Sequence, residues 1–479
     1  MKRRCLLQSF LWTLFPWTVQ AADDAFDLLI VGSGGAGLTA AALLSEKTNL
    51  KIAVFEKEPI IGGTSILCGG QWAVAGTDLQ KSQNVKDSAD LFFEDLMRVG
   101  NYKNDSSVVN AFIDASLKQY FWVKKNGVAP KTLALSAGMS RPRAHIFNPR
   151  EIIALLSRKC LTQGVKIFTS VKVTKILQPE GSTESVCGLE VQNHQGDRLL
   201  FRAPRVLLAS GGFTRNRTLL KTYASGLDRA LLFSAPGSQG DGIEMGVNIG
   251  SALSDMTNIK PSFGFIEGAT GTKDITGVFY SGAVIVNENA ERFINESLPN
   301  KEIGIEAVNQ KETYLVFDEA IRQKQMNIRP NDKLLLNKVG LFGQPVLQGQ
   351  SIREIAAKAK LDPEKLETEI RQYNNRIKNG EPDPFGRDSL SQGWGKLPLI
   401  HEPPFFITRA YSGLTGTYGG LKIDQKGRVL SVWGPVIKGL YAAGEVTGGV
   451  HGEGFMAGTG FGKAMAFGRI VSESIQAEL

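Results

Sequence analysis

Cysteine and histidine are scarce in this 479-residue chain, with four of each. Cys5, Cys68, Cys160 and Cys187 include no C-x-x-C pair. That excludes a disulfide scaffold, a zinc ribbon and a c-type haem attachment site. No apolar run reaches the ~20 residues that a membrane helix needs, so a polytopic membrane protein is excluded. Neither sign of charge dominates. Lys and Arg number 55 against 47 Asp and Glu, a net +8 that is not clustered, so nucleic-acid binding is not the first expectation. Prolines are few at 19, whereas glycines number 53, which implies many tight turns and close backbone approaches. With 42% hydrophobic and 21% charged residues, the composition is that of a globular protein and excludes a disordered chain or a coiled coil. The length suits two or three domains at ~100–200 residues each.

The amino terminus reads as an address. Lys2-Arg3-Arg4 is a basic start, Cys5 to Trp17 is mostly apolar, and Val19-Gln20-Ala21 is a small-residue cleavage site. Together they predict a secretory signal peptide over residues 1–21 and an exported, periplasmic mature protein. The Arg3-Arg4 pair admits the twin-arginine route as well as the general secretory one.

The mature chain opens with one β-α-β unit. Phe26 to Val31 is a short apolar strand, Gly32-Ser33-Gly34-Gly35-Ala36-Gly37 follows, Leu38 to Leu44 continues as helix, and Ile52 to Phe55 is a second strand ending at Glu56. In this pattern Gly32 and Gly34 permit a tight turn and close approach of a pyrophosphate, and Gly37 lets helix pack on strand. The helix N-terminus offers free N–H groups to phosphates. Glu56 is spaced to reach ribose hydroxyls. The unit predicts dinucleotide binding within an α/β fold.

Further glycine-rich segments follow. Gly62-Gly63-Thr64-Ser65 and Gly69-Gly70 come soon after Glu56 and Lys57. Ser210-Gly211-Gly212-Phe213 ends an apolar strand, and Gly439 to Glu445 is another strand running into glycine. There is no second G-x-G-x-x-G, so a built-in nicotinamide site is not expected. With Gly240-Asp241-Gly242, Arg292-Phe293-Ile294-Asn295-Glu296, Thr417-Tyr418-Gly419-Gly420 and Gly444 to Gly452, these runs resemble the fumarate reductase/succinate dehydrogenase flavoprotein superfamily. The soluble flavocytochrome c branch is the nearest, and 3-ketosteroid dehydrogenases are similar. The resemblance covers essentially the whole mature chain.

That resemblance implies a Rossmann-like FAD-binding domain over 23–255 and 413–479, with an α+β capping domain inserted over 256–412. It implies hydride transfer between flavin and a carbon–carbon bond. The FAD-binding positions it assigns begin with Gly32, Gly34, Gly35, Ala36, Gly37, Glu56 and Lys57. They continue with Gly63, Thr64, Ser65, Gly69, Gly70 and Val171. Ser210, Gly211, Gly212, Asp241, Gly444, Glu445, Gly458 and Thr459 complete the set. No histidine stands near Gly63 to Gly70, the run where some relatives attach the cofactor, so FAD is expected to be non-covalent. Haem and FMN modules are not visible in the chain, so a separate cytochrome or FMN protein is the expected electron donor.

The substrate positions depart from the family. Reducing a polarised C=C needs a hydride on one carbon and a positioned acid for the next. A dicarboxylate also needs cationic forks at both ends. Where the family carries its catalytic arginine, Asn300 and then Lys301 stand. Lys260-Pro261-Ser262 replaces a histidine run, and Phe279 falls where an arginine is expected. Gly416 replaces a histidine, and Phe455 replaces the last arginine, followed by Met456. Fumarate and succinate are therefore not the expected substrates. Lys260, Phe279, Phe455 and Met456 predict a pocket for a bulkier, aromatic or cyclic compound. Tyr418, Lys301 and Tyr280 are the candidate catalytic residues, Tyr418 foremost, with Lys260 and Tyr411 as rivals. A reductase of an enone or arylacrylate is the leading reading. A dehydrogenase placing C=C beside a ketone, and a flavin electron-transfer subunit, are the alternatives.

Overall fold

The computed structural model describes residues 20–21, 25–271, 274–329, 332–337, 345–390 and 395–479, without the side chains of residues 20, 21 and 260. The expected signal segment thus lies outside the described residues, apart from Gln20–Ala21, which pair in parallel with Leu199 and Leu200.

Leu28–Val31 and Ile52–Phe55 are apolar and wholly buried, as strands covered on both faces must be. They lie near the middle of a six-stranded sheet. Its order is Arg428–Leu430, Val436–Ala442, Val206–Leu208, Leu28–Val31, Ile52–Phe55 and Lys166–Phe168. The pairings are parallel except that of Arg428–Leu430, which is antiparallel. Leu207 stands opposite Ile30 on one side and Tyr441 on the other. The end of the chain therefore returns to the sheet that its beginning built. Helix Gly35–Lys47 packs against helix Thr459–Gln476. Their small residues permit the approach: a Cβ added at Gly468 would lie 2.6 Å from Ala36 O.

A second sheet is organised by the long strand Phe405–Thr417. It pairs antiparallel with Ile259–Ile266, Thr313–Asp318 and Val346–Gly349. This lobe has a hydrophobic core of its own, including Phe263, Phe279, Val316 and Ile407. Ile259 and Leu414 belong to the first core, whereas Phe263 and Ala410 belong to the second. Two adjacent strands thus carry the chain out of one core and back.

The lobe is pinned by buried ions. Arg292 bonds Glu296 at 2.7 Å and Asp383 at 2.6 Å, and Arg387 lies 3.2 Å from Glu296. Removing one partner of such a network typically costs ~3–5 kcal/mol, because the other charge stays buried. The Arg292 to Glu296 run is therefore scaffold. It leads into helix Asn300–Asn309, where Asn300 Oδ1 accepts from Phe263 N at 2.6 Å and Nδ2 donates to Phe263 O at 3.2 Å.

Candidate active site

A cavity of about 390 Å³ runs along the C-terminal ends of the central strands and under the second lobe. The first β-α turn forms one end. Gly32 has φ +103°, and an added Cβ there would sit 2.4 Å from Ala209 O, so only glycine fits. Gly34 differs. Its φ of −72° suits any residue, and an added Cβ would meet nothing nearer than Ser65 Oγ at 3.9 Å. Neither backbone nor protein packing demands glycine at Gly34. Room beside the helix N-terminus does, and its N-cap residue, Gly34, brings no side chain to cap it. This is a cradle for a pyrophosphate.

The rest of the glycine-rich set closes around it. Glu56 accepts from Ser33 N at 3.0 Å, Ser33 Oγ at 2.7 Å and Glu58 N at 3.0 Å, which fixes its carboxylate at the cavity wall. Ser65 Oγ accepts from Gly35 N at 3.0 Å. Thr64 Oγ1 lies 3.1 Å from Ser238 Oγ and accepts from Ala235 N at 3.1 Å. Asp241 starts helix Asp241–Asn248 and is paired with Lys57 and, at 3.2 Å, with Lys172. Glu445 Oε1 accepts from Thr417 N at 2.8 Å. Ala36, Gly63, Gly69, Val171, Ser210, Gly211, Gly444 and Gly458 also line the cavity.

Four expected FAD positions lie behind the wall instead. Gly37 permits packing, since a Cβ would be 2.1 Å from Gly32 O, and Gly70 would meet Phe147 O at 2.0 Å. Gly212 makes room for Thr417 and Glu445. Thr459 is spent on Met456 O and His451 Nδ1.

At the other end Tyr418, His451 and Phe455 form an aromatic wall. Tyr418 and Phe455 stack with centroids 5.5 Å apart and planes 14° apart. His451 sits 5.2 and 5.1 Å from the two rings. Tyr418 is 1% exposed, and its hydroxyl has no hydrogen-bond partner among the described residues. Burial pushes that phenol well above the ordinary tyrosine range. The Ser210 and Thr415 hydroxyls, both in cavity-lining residues, are likewise unpartnered among the described residues. Buried polar groups of this kind are normally satisfied; Ser210 Oγ packs over Gly242, which leaves the Tyr418 and Thr415 hydroxyls as the candidate ligand contacts.

The remaining candidates fall elsewhere. Phe279 is fully buried in the lobe core, with Phe263 at 5.7 Å and Tyr280 at 4.4 Å between centroids. It lies on a short 3-10 turn, Val278–Ser281, and does not line the cavity. This corrects its expected place in the pocket. Met456 is also in the core at 0% exposure. Tyr280 donates to Leu298 O at 3.2 Å, and neither it nor Tyr411 lines the cavity. Lys301 lines a separate, smaller hollow. Its ammonium is 5.9 Å from the Tyr418 ring centroid and donates to Glu453 O. Burial draws its pKa down. The Lys260 side chain lies outside the described residues; its backbone pairs with Gly416.

Arg329 and Lys463 are among the lining residues that escaped the sequence reading. Arg329 reaches the lobe side of the cavity, near Ile275. Lys463 lies on the C-terminal helix at 1% exposure. The signal for Lys463 was its spacing, at i, i+4 and i+7 with Phe467 and Ile470 on a face otherwise destined for burial.

Known proteins match this arrangement. A family model described as an FAD binding domain covers residues 27–460. A fumarate reductase (cytochrome) of Shewanella frigidimarina is 30% identical over 464 residues, spanning 95% of this chain and 77% of that protein. A urocanate reductase of Eggerthella lenta is 28% identical, spanning 96% of this chain and 76% of that protein. The open form of a flavocytochrome c3 fumarate reductase superimposes with a TM-score of 0.82 at 25% identity, covering 94% of this chain and 78% of that one.

FAD is expected to co-purify and to pass into the supernatant on acid denaturation. Gly34→Val should abolish the flavin absorbance per mole of protein, because the branched side chain fills the cradle, while far-ultraviolet circular dichroism stays unchanged. Flavin retained by the denatured chain, or full flavin content in Gly34→Val, would contradict this.

Proposed function

Because the chain belongs to the FAD binding domain family, among the fumarate reductase and succinate dehydrogenase flavoproteins, we propose that it reduces the activated C=C bond of a bulky or aromatic compound that is not a dicarboxylate. An enone or an arylacrylate fits this description. The lobe over 256–412 serves as the cap, FAD is held non-covalently, and electrons come from a separate cytochrome or FMN protein. Export through the predicted signal segment places the enzyme in the periplasm.

Bound FAD supplies the hydride. Everything else falls to the chain's own side chains. The stacked faces of Tyr418 and Phe455 suit a planar ring better than a small diacid. Arg329, whose Nε is 3.5 Å from Asp332 Oδ1 and whose side chain is 44% exposed, can meet one carboxylate. Tyr418 gives its proton to the carbon next to the one that receives hydride. Lys301, whose ammonium is 5.9 Å from the Tyr418 ring centroid, is a cation close to the phenolate left behind.

The observation that carries this reading is the buried Tyr418 hydroxyl, without a hydrogen-bond partner among the described residues, at the aromatic end of the cavity. The relative named for urocanate, itself an arylacrylate, supports the substrate class. Anaerobic oxidation of reduced benzyl viologen by a panel of enones and arylacrylates tests it, and a holoenzyme inert to the whole panel would defeat it. Reduction of dichlorophenolindophenol by saturated ketones, without alkene reduction, would favour the dehydrogenase alternative.

A further inference from the structure

Lys463 is an expensive residue where it stands. Its side chain is 1% exposed and forms part of the cavity wall beside Gly444, Gly460 and Ala464. Its helix is otherwise lined there by glycine, alanine and large apolar residues. Among the described residues its ammonium donates to the Thr447 carbonyl. Burying an ammonium costs several kcal/mol; one neutral acceptor returns little of that, and the Asp255 and Glu445 carboxylates, which favour the charged form, return a further part. Burial draws its pKa down to about 8, so it still carries its charge at neutral pH. A methionine would pack the same space without the penalty, so the charge itself is what the position retains.

We propose that Lys463 is a charge-positioning residue for the bound flavin, a fixed cation in the cavity wall that makes the flavin easier to reduce. The two-electron, one-proton couple adds one net negative charge to the isoalloxazine ring. A buried cation facing the cavity stabilises that charge more than it stabilises the neutral oxidised ring, and low local dielectric strengthens the effect. This inference depends on FAD occupancy alone and is independent of the substrate.

The test is the midpoint potential of the holoenzyme, read by dye equilibration during anaerobic reductive titration. Lys463→Gln keeps a donor for Thr447 O but drops the charge, and Lys463→Arg keeps the charge. In Lys463→Gln the reduced-to-oxidised ratio at a fixed potential should fall ~10–100-fold, about 30–60 mV for a two-electron couple. Lys463→Arg should stay within about threefold of wild type. An unchanged potential in Lys463→Gln with FAD bound would overturn the proposal. So would equal shifts in both variants, which would mean that lysine only pins the Thr447 turn. Loss of FAD from Lys463→Gln alone would also overturn it, because the charge would then hold the oxidised cofactor rather than bias its reduction, and loss from both variants overturns it too.

Discussion

Replacing Tyr418 by phenylalanine is expected to slow alkene reduction ~10²–10⁴-fold, the usual weight of a general acid, while FAD stays bound at full stoichiometry. Burial holds the phenol protonated well past its ordinary range, so its proton is present at every working pH even though burial also makes it a weaker acid. Its acid function should therefore not titrate away between about pH 6 and pH 9. The substitution removes one oxygen and leaves the stack on Phe455 and His451 intact. Substrate affinity should change far less than turnover, the pattern of a group that acts in the transition state. The measurement is single-turnover oxidation of the pre-reduced flavin by substrate, with flavin content read from the same sample. Full activity in Tyr418→Phe would move the acid to Lys301, whose ammonium is 5.9 Å from the same ring.

Fumarate is expected to be a very poor substrate, and the reason is charge. Phe455 and Gly416 occupy the cavity where cationic side chains would have to stand. Asn300 is committed to both backbone groups of Phe263. Lys57 and Lys172 are held by Asp241. Among the described residues this leaves Arg329 for one carboxylate at the cap side, with the buried Lys463 ammonium assigned to the flavin. A second carboxylate would lose its water without a partner, at several kcal/mol. Since each 1.36 kcal/mol is a factor of ten in rate, kcat/KM for fumarate should fall ~10³-fold or more below that for a fitting arylacrylate.

The cofactor end was legible because it is written locally. A glycine that must take φ +103°, a helix start and a strand end follow one another within the 25 residues between Gly32 and Glu56, so spacing alone places them. The end of the chain was legible for a similar reason, since an apolar strand running into Gly444 has the same form. Phe279 was misplaced because a motif position says where a residue falls along the chain. It does not say whether a 3-10 turn sets the ring at the cavity or in the lobe core. The Arg292 to Glu296 run could be recognised but not understood from sequence. Its partners Asp383 and Arg387 lie about 90 residues further on, and only the fold of the lobe brings them together. Lys463 was hidden by the ordinary expectation that a helical lysine faces water.

The most direct measurement is the anaerobic rate at which purified holoenzyme, with reduced benzyl viologen as donor, turns over an arylacrylate and fumarate at equal concentration. Rapid bleaching with the arylacrylate and background bleaching with fumarate is the result that an aromatic pocket with one cation at its cap side predicts. Efficient reduction of fumarate, with the arylacrylate inert, would contradict it.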